Sequence, residues 1–251
     1  MRLYKVLVLF SVTMLLFSCS NSRWLVTSIQ GKRIPLDVTT EKIADEKMAA
    51  MIQPYKELLD DEMNEVIGYA PQAMRAHGPE SLLSNFTADV YRITASKYLN
   101  QPVDMAIVNR GGLRTQISAG NVTVGRVFEL MPFENELVVL WLRGSDLEAL
   151  LHFFASVNGE GVSGIRMGIS NGKAVNIMVG GDNIKSDKLY SIATNNYLAE
   201  GNDGMKQLKL AAKSENTGIK VRDMLMNHIR SLTAAGKNVT SALDGRVAVV
   251  P

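Results

Sequence analysis

Residues 103–114 read Val103-Asp104-Met105-Ala106-Ile107-Val108-Asn109-Arg110-Gly111-Gly112-Leu113-Arg114. The first half is a short run of β-branched and large apolar side chains, the pattern of a buried strand. The second half opens with an amide, passes two adjacent glycines and ends in a guanidinium. The spacing therefore predicts a strand that delivers Asn109 at its carboxyl end into a glycine turn. Glycine permits positive φ and lets backbone approach a ligand closely. A fixed arginine fork holds phosphate oxygens through two parallel hydrogen bonds, which makes the stretch a candidate anion site. A plain β-turn with a surface arginine has the same composition, so the stretch alone leaves both readings open.

Working outward toward the amino end, residues 80–99 carry Leu83, Phe86, Val90 and Ile93 on one helical stripe between Gly78-Pro79 and Gln101-Pro102. Further upstream, residues 40–68 interleave charges with Ile43, Met48, Met51, Ile52, Leu58, Leu59, Met63 and Val66. That predicts an amphipathic helix interrupted near Pro54, whose ring disfavours helical backbone at Gln53. Residues 23–37 alternate loosely around Gly31-Lys32-Arg33-Ile34-Pro35, which suits a short hairpin.

Toward the carboxyl end, residues 136–143 read as a strand, and Gly144-Ser145 opens a helix that closes over residues 152–158. Ser145 and Glu148 have capping-box spacing, each side chain able to satisfy a free backbone donor. Two strands, 164–169 and 174–179, flank Asn171-Gly172, a strong hairpin turn because both residues tolerate positive φ. Residues 189–194 form a further strand. A last helix spans 220–232 with Val221, Met224, Leu225 and Ile229 inward. Strands intermixed with helices imply an α+β fold, a mixed β-sheet with flanking helices.

The first residues, Met1-Arg2-Leu3-Tyr4-Lys5, precede an apolar run from Val6 to Phe17 and then Ser18-Cys19-Ser20. A basic start, a short apolar core and a small residue before the cut are the parts of an export signal. The run is about 12 residues long, well short of the ~20 that a spanning helix needs. Leu16-Phe17-Ser18-Cys19 resembles a bacterial lipobox, in which the cysteine becomes the lipidated first residue, so Cys19 is the candidate lipidation site; a buried free cysteine is the plainer reading. An acylated Cys19 would tether the protein to a membrane of the bacterial cell envelope, periplasmic or outer-membrane-associated, without a spanning helix. The expected organisation is an export signal over 1–18, a tether and hairpin over 19–39, a helical lead-in over 40–77 and one domain over 78–251. A formal charge of +2 with no like-charge blocks gives no sign of a nucleic acid polymer as partner. The 13 methionines are scattered, as core gap-fillers are.

Three more pieces join the first. Thr123-Val124-Gly125-Arg126-Val127 leads to Met131-Pro132-Phe133-Glu134-Asn135, which sets an aromatic beside a rigid turn. Ile192-Ala193-Thr194-Asn195-Asn196-Tyr197 then brings a second aromatic ahead of Gly201-Asn202-Asp203-Gly204. The order and spacing of these pieces, from about residue 80 to 229, resemble the C-terminal domain of 5'-nucleotidases, a family whose relatives also cleave nucleotide sugars and cyclic nucleotides.

What the resemblance implies follows position by position. In the family's Asn-x-Gly-Gly-x-Arg motif the asparagine corresponds to Asn109, expected on the base, and the arginine to Arg114, expected on the phosphate, with Gly111 and Gly112 between them. Phe133 and Tyr197 correspond to the aromatic clamp that sandwiches the base, and Asp203 to the acidic residue that accepts hydrogen bonds from the ribose. Aromatic faces stack any base for roughly 1 to 3 kcal/mol, and a carboxylate suits the two ribose hydroxyls. Taken singly, Phe133 or Tyr197 reads as core and Asp203 as a turn residue.

The sequence departs from the family in three places. Residues 79–82, at the start of the second helix, offer no additional arginine. Asn202 stands where Gly-Gly-Asp-Gly has glycine, a change asparagine tolerates if that position needs positive φ. A two-metal phosphatase needs clustered Asp, His and Asn ligands, and His77, His152 and His228 lie far apart along the chain, each with the pattern of a surface or core residue. No catalytic residue and no metal ligand is therefore assigned, and no cofactor is expected in this chain; divalent metal ions are expected only in a separately encoded metallophosphatase partner. The leading expectation is a lipid-anchored, nucleotide- or nucleoside-recognising half of a split 5'-nucleotidase-like hydrolase in nucleotide catabolism. The alternatives are a non-catalytic nucleoside- or nucleotide-binding lipoprotein for scavenging, and a structural envelope protein with a decayed site.

Overall fold

A computed structural model describes residues 25–35 and 45–251. Cys19 and the export signal lie outside the described residues, as does Ile43. The chain divides between Met51 and Ile52 into two compact units. Residues 25–35 form neither strand nor helix. The hairpin expected there is absent from these residues, with its outer ends outside the described part. Leu25, Val26, Ile29 and Ile34 are all more than three-quarters exposed, and a two-stranded hairpin with no face to bury is marginal in water.

Helix α1 (Glu46–Met63) contains Pro54 and has no buried residue. The expected interruption is absent: the proline costs one backbone hydrogen bond without ending the helix. The helix is also shorter than its apolar pattern predicts. Val66 and Ile67 belong to strand β1 (Val66–Ala70), which pairs antiparallel with β3 (Gly120–Thr123). Ile67, Ala70 and Met74 are buried in the core, so residues 66–77, grouped with the helical lead-in by sequence, enter the body of the domain.

Helix α2 (Leu82–Leu99) starts where the Ser81 hydroxyl accepts from the Ser84 backbone N–H and stops at Asn100, whose φ of 51° places it in the left-handed region. Leu83, Phe86 and Val90 are buried as the stripe predicts, whereas Ile93 is exposed and Tyr91 and Ala95 take its place in the core. Strand β2 (Met105–Val108) follows and is buried at every position. Next come the short helix α3 (Val124–Leu130) and β4 (Glu136–Arg143). Helix α4 (Gly144–Ser156) opens after Arg143 with no side-chain cap, so the Ser145–Glu148 capping box does not form. Instead the Ser145 N–H donates to the Ser186 carbonyl.

The rest of the order is β5 (Gly161–Ser163), β6 (Ile165–Ser170), β7 (Lys173–Val179), β8 (Asp182–Asn183), β9 (Leu189–Asn195), the single turn α5 (Asn196–Ala199), β10 (Lys213–Lys220), α6 (Val221–Ala234) and β11 (Val247–Val249). Asn171 and Gly172, at φ 50° and 71°, make the tight turn expected between β6 and β7.

A five-stranded sheet in the order β10-β4-β9-β2-β5 sits at the centre, with a four-stranded sheet β11-β6-β7-β8 and the β1-β3 pair beside it. Strands β2 and β9 are parallel and the other pairings in the central sheet are antiparallel, which makes it mixed. Alternate residues supply two cores. Ala106, Val108, Leu137, Val139 and Ala193 pack with α2, α3 and α6. Met105, Ile107, Val138, Leu140 and Ile192 pack with α4, β6 and β7. A strand covered on both faces reads as an unbroken apolar run, which is why residues 103–108 were legible.

Candidate functional site

The register of the central sheet lines up four chain segments along one edge. Lys220 at the end of β10 pairs with Glu136 at the start of β4, and Leu137 of β4 pairs with Asn195 at the end of β9. Strand β2 runs parallel to β9, with Ala106 opposite Ala193, so Asn109 leaves the sheet at the same edge. Val221, Asn135, Asn195 and Asn109 thus follow one another across the sheet. A cavity of about 310 Å³ opens there, lined by these four residues and by Gly111, Gly112, Arg114, Met131, Phe133, Tyr197 and Asp203. Every residue singled out by sequence for substrate binding lies on this wall. Crevices beyond the carboxyl ends of parallel strands are a recurrent place for ligands, because helices and loops diverge there.

After Asn109 the chain makes one 3₁₀ turn, Arg110–Gly112, closed by hydrogen bonds from Gly112 N–H to the Asn109 carbonyl (3.1 Å) and from Leu113 N–H to the Arg110 carbonyl (3.1 Å). Neither glycine adopts positive φ. Their use is spatial rather than conformational: a Cβ on Gly112 would lie 2.7 Å from the Asn109 side-chain oxygen, and a Cβ on Gly111 would meet only open space. Arg114 is exposed, its N–H bonded to the Leu130 carbonyl and its Nη1 to the Gly111 carbonyl at 3.2 Å. Among the described residues it has no carboxylate partner and it lines the cavity.

Opposite, Phe133 and Tyr197 are 45% and 42% exposed. Neither ring stacks on another aromatic ring among the described residues, and both line the cavity. Asp203 connects the two sides. One carboxylate oxygen accepts from Asn109 Nδ2 at 2.5 Å and the other from the Tyr197 hydroxyl at 2.8 Å. The loop presents this carboxylate through three positions of positive φ: Gly201 at 78°, Asp203 at 52° and Gly204 at 81°. Asn202 does not take the positive φ that its place in the motif suggested; its amide instead donates to the Tyr197 carbonyl at 2.7 Å.

The electrostatics follow from these contacts. The hydrogen bond to Asp203, then desolvation and the charge of Asp203, raise the Tyr197 phenol above its ordinary value. Burial pushes the Glu160 carboxyl up, against hydrogen bonds and charge from Arg110. The Arg110 N–H donates to Glu160 at 2.7 Å, and its guanidinium bonds the Val157 carbonyl at 2.9 Å. Arg110 therefore anchors the turn from behind, whereas Arg114 faces the cavity. At the outer rim, the hydrogen bond from Arg222 holds Glu134 below the usual carboxylate range.

Four lining residues were not singled out by sequence. Asn135 and Asn195 lie inside quoted pieces but carry no signal that separates them from neighbouring amides. Met131 and Val221 had only the signature of packing residues.

The histidines do not converge. His77 contacts the Gly78 carbonyl, His152 Nδ1 accepts from the Ala174 N–H, and His228 packs edge-on to Phe86. Among the described residues no group of three or more His, Cys, Asp or Glu side chains could hold a metal ion. These residues do not fit a two-metal centre.

Comparison with known proteins decides the family. A family model described as 5'-nucleotidase, C-terminal domain, matches residues 66–210. The chain belongs to the 5'-nucleotidase C-terminal domain family. It is 31% identical over 235 residues to the trifunctional nucleotide phosphoesterase protein YfkN of Bacillus subtilis, covering 85% of this chain and 16% of that protein. It is 26% identical to a Vibrio vulnificus 5'-nucleotidase over 76% of this chain and 35% of the relative. The crystal structure of a 5'-nucleotidase precursor from Thermus thermophilus superposes with a TM-score of 0.70 at 28% identity, covering 82% of this chain and 44% of that one. The chain thus spans less than half the length of each of these relatives. The match begins at β1, in agreement with the packing of residues 66–77 into the family domain.

Proposed function

We propose that this chain recognises a nucleotide or nucleoside, as the substrate-binding half of a 5'-nucleotidase-like hydrolase in nucleotide catabolism. The observation that carries this reading is Asp203, bonded to Asn109 on one side and Tyr197 on the other within a single cavity. In this reading the two rings stack the base, Asp203 accepts from the ribose hydroxyls, Asn109 faces the base and Arg114 takes the phosphate. Stacking needs aromatic rings and phosphate needs a cation, and Phe133, Tyr197 and Arg114 on one cavity wall support this reading. In this reading hydrolysis would occur at divalent metal ions held by a separately encoded metallophosphatase. The Cys19 lipid would hold the pair at the cell envelope, as the lipobox-like sequence suggests.

A second component of the proposal is measurable affinity for nucleosides without a partner, as a scavenging lipoprotein would have, because Phe133, Tyr197, Asn109, Arg114 and Asp203 share one cavity. Two measurements separate the readings. Calorimetric titration of AMP into the isolated chain should show binding that is lost in a Phe133→Ala, Tyr197→Ala double variant. Phosphate release from AMP should require a co-purifying metallophosphatase; full release from this chain alone would overturn the split-enzyme reading, and failure of any metallophosphatase to co-purify would leave the binding lipoprotein.

A further inference from the structure

A second cavity, of about 390 Å³, opens at the other end of β2 and shares no residue with the site described above. Ser163 of β5 pairs opposite Ala106, and a Cβ on Gly164 would press on the Asp104 carbonyl, so this cavity lies by the start of β2, whereas Asn109 leaves its end. Its walls come from α2, the β5–β6 junction, the Gly180-Gly181 turn after β7 and the segment before β11.

The charged side chains of the lining are Asp89, Arg92, Arg166, Asp244 and Arg246. Arg246 donates to both carboxylate oxygens of Asp89, at 2.8 and 3.2 Å, and to both of Asp244, at 3.0 and 2.8 Å. Two carboxylates thus share one guanidinium, and Arg92 and Arg166 turn the lining as a whole positive. Among the described residues neither of these two arginines has a carboxylate partner, and each is held by neutral oxygens through a single nitrogen. Arg92 Nε donates to the Ser163 hydroxyl at 2.9 Å, and that hydroxyl donates onward to Asp89. Arg166 Nη1 donates to the Asp244 and Gly245 carbonyls at 2.8 and 3.3 Å. Both Nη nitrogens of Arg92, and Nε and Nη2 of Arg166, keep their donors. Gly164, at φ 79°, clears the path of the first arginine, since a Cβ there would lie 3.1 Å from Arg92 Cδ.

The geometry points to a second ligand site: this cavity binds a phosphate-class oxyanion, free or as the monoester of a small organic group, between the Arg92 and Arg166 guanidiniums. A guanidinium has a planar fork that matches phosphate oxygens, and one already fixed through a single nitrogen loses little further freedom when the others engage. Arg246 is saturated by its two carboxylates and keeps Asp89 and Asp244 from repelling the anion. A bare phosphate ion fills only part of the volume, and Ile165 and Met178 give the remainder an apolar wall suited to the carbon end of an ester. The inference does not depend on the nucleoside reading, because the two cavities lie at opposite ends of β2.

Glycine amides give each cavity its own reporter: Gly180 and Gly181 line this one, Gly111 and Gly112 the other. Inorganic phosphate and glycerol 3-phosphate are titrated separately into the ¹⁵N-labelled protein at constant ionic strength, followed by amide chemical shifts, with sodium chloride as the control. The Gly180 and Gly181 resonances should move and saturate at about millimolar concentration or below with at least one probe, and the tighter probe identifies the form carried. Arg92→Gln and Arg166→Gln should each weaken this binding roughly 10-fold or more. If Arg92→Gln does not fold, Arg166→Gln, at an exposed position, carries the same decision. Movement that chloride reproduces, no saturation with either probe, or unchanged affinity in the arginine variants would overturn the inference. Saturable shifts confined to Gly111 and Gly112 would overturn it too and leave the nucleoside reading standing.

Discussion

Asp203→Asn isolates the charge at the centre of the cavity from its geometry. Asparagine is isosteric, and it tolerates the φ of 52° at this position, so the loop keeps its path. The amide can still accept from Asn109 Nδ2 while its own NH₂ donates to the Tyr197 oxygen, which preserves both contacts as neutral bonds. What changes is charge assistance. Asn109 is only 7% exposed, so its bond is shielded on one side, but Asp203 itself is exposed and the low end of the range applies. A charge-assisted bond of about 1.5 kcal/mol becomes a neutral one of about 0.5, a stability loss of about 1 kcal/mol. The ligand should suffer more. Two ribose hydroxyls that donate to a carboxylate would meet an amide with one accepting atom, and adenosine affinity should fall roughly 10- to 100-fold. 2',3'-Dideoxyadenosine lacks the 2'- and 3'-hydroxyls and should bind both proteins alike. Calorimetric titration of the two nucleosides gives the comparison, with chemical denaturation for stability. Removing the anionic acceptor should also let the raised Tyr197 phenol fall back toward 10, measured by absorbance titration. Equal adenosine affinity in both proteins, or equal weakening of the dideoxy analogue, would refute a ribose-binding role for Asp203.

Three further outcomes are expected. Arg114→Gln should weaken AMP by about 10-fold and leave adenosine unchanged, since the guanidinium has no carboxylate partner among the described residues and, in the proposed reading, serves only the phosphate. Gly111→Ala should fold within about 0.5 kcal/mol of wild type, because the new methyl meets no atom within 4 Å and φ is not positive. The methyl would occupy ligand space, so AMP affinity should drop in the same protein. His228, edge-on to Phe86 at 5.8 Å, has a pKa lowered from 6.5 by burial and by Lys97, with Asp89 opposing. A depressed histidine contributes stability that is present above pH 6.5 and lost as pH falls through its folded pKa, where the unfolded chain binds the proton more readily. Denaturation midpoints should therefore decline below pH 6.5 in wild type, and this part of the decline should vanish in His228→Leu.

Sequence alone determined the elements whose side-chain period is set by burial. Strand β2 has two covered faces and reads as an apolar run, α6 buries one stripe, and Asn171-Gly172 fixes a hairpin by local backbone preference. The cavity residues were legible only as a set, through their resemblance to a family. Composition failed where burial was partial or absent. Strand β10 (Lys-Ser-Glu-Asn-Thr-Gly-Ile-Lys) has no fully buried residue and its sequence is that of a loop, yet it completes the central sheet by pairing with β4. Val66 and Ile67 continued a helical pattern but found a partner in β3. Side-chain periodicity encodes which face is covered, not which strand lies alongside or in what register. That register was decided by the tertiary structure, and it is the register that carries Asn109, Asn135, Asn195 and Val221 to one edge, where they line a single cavity.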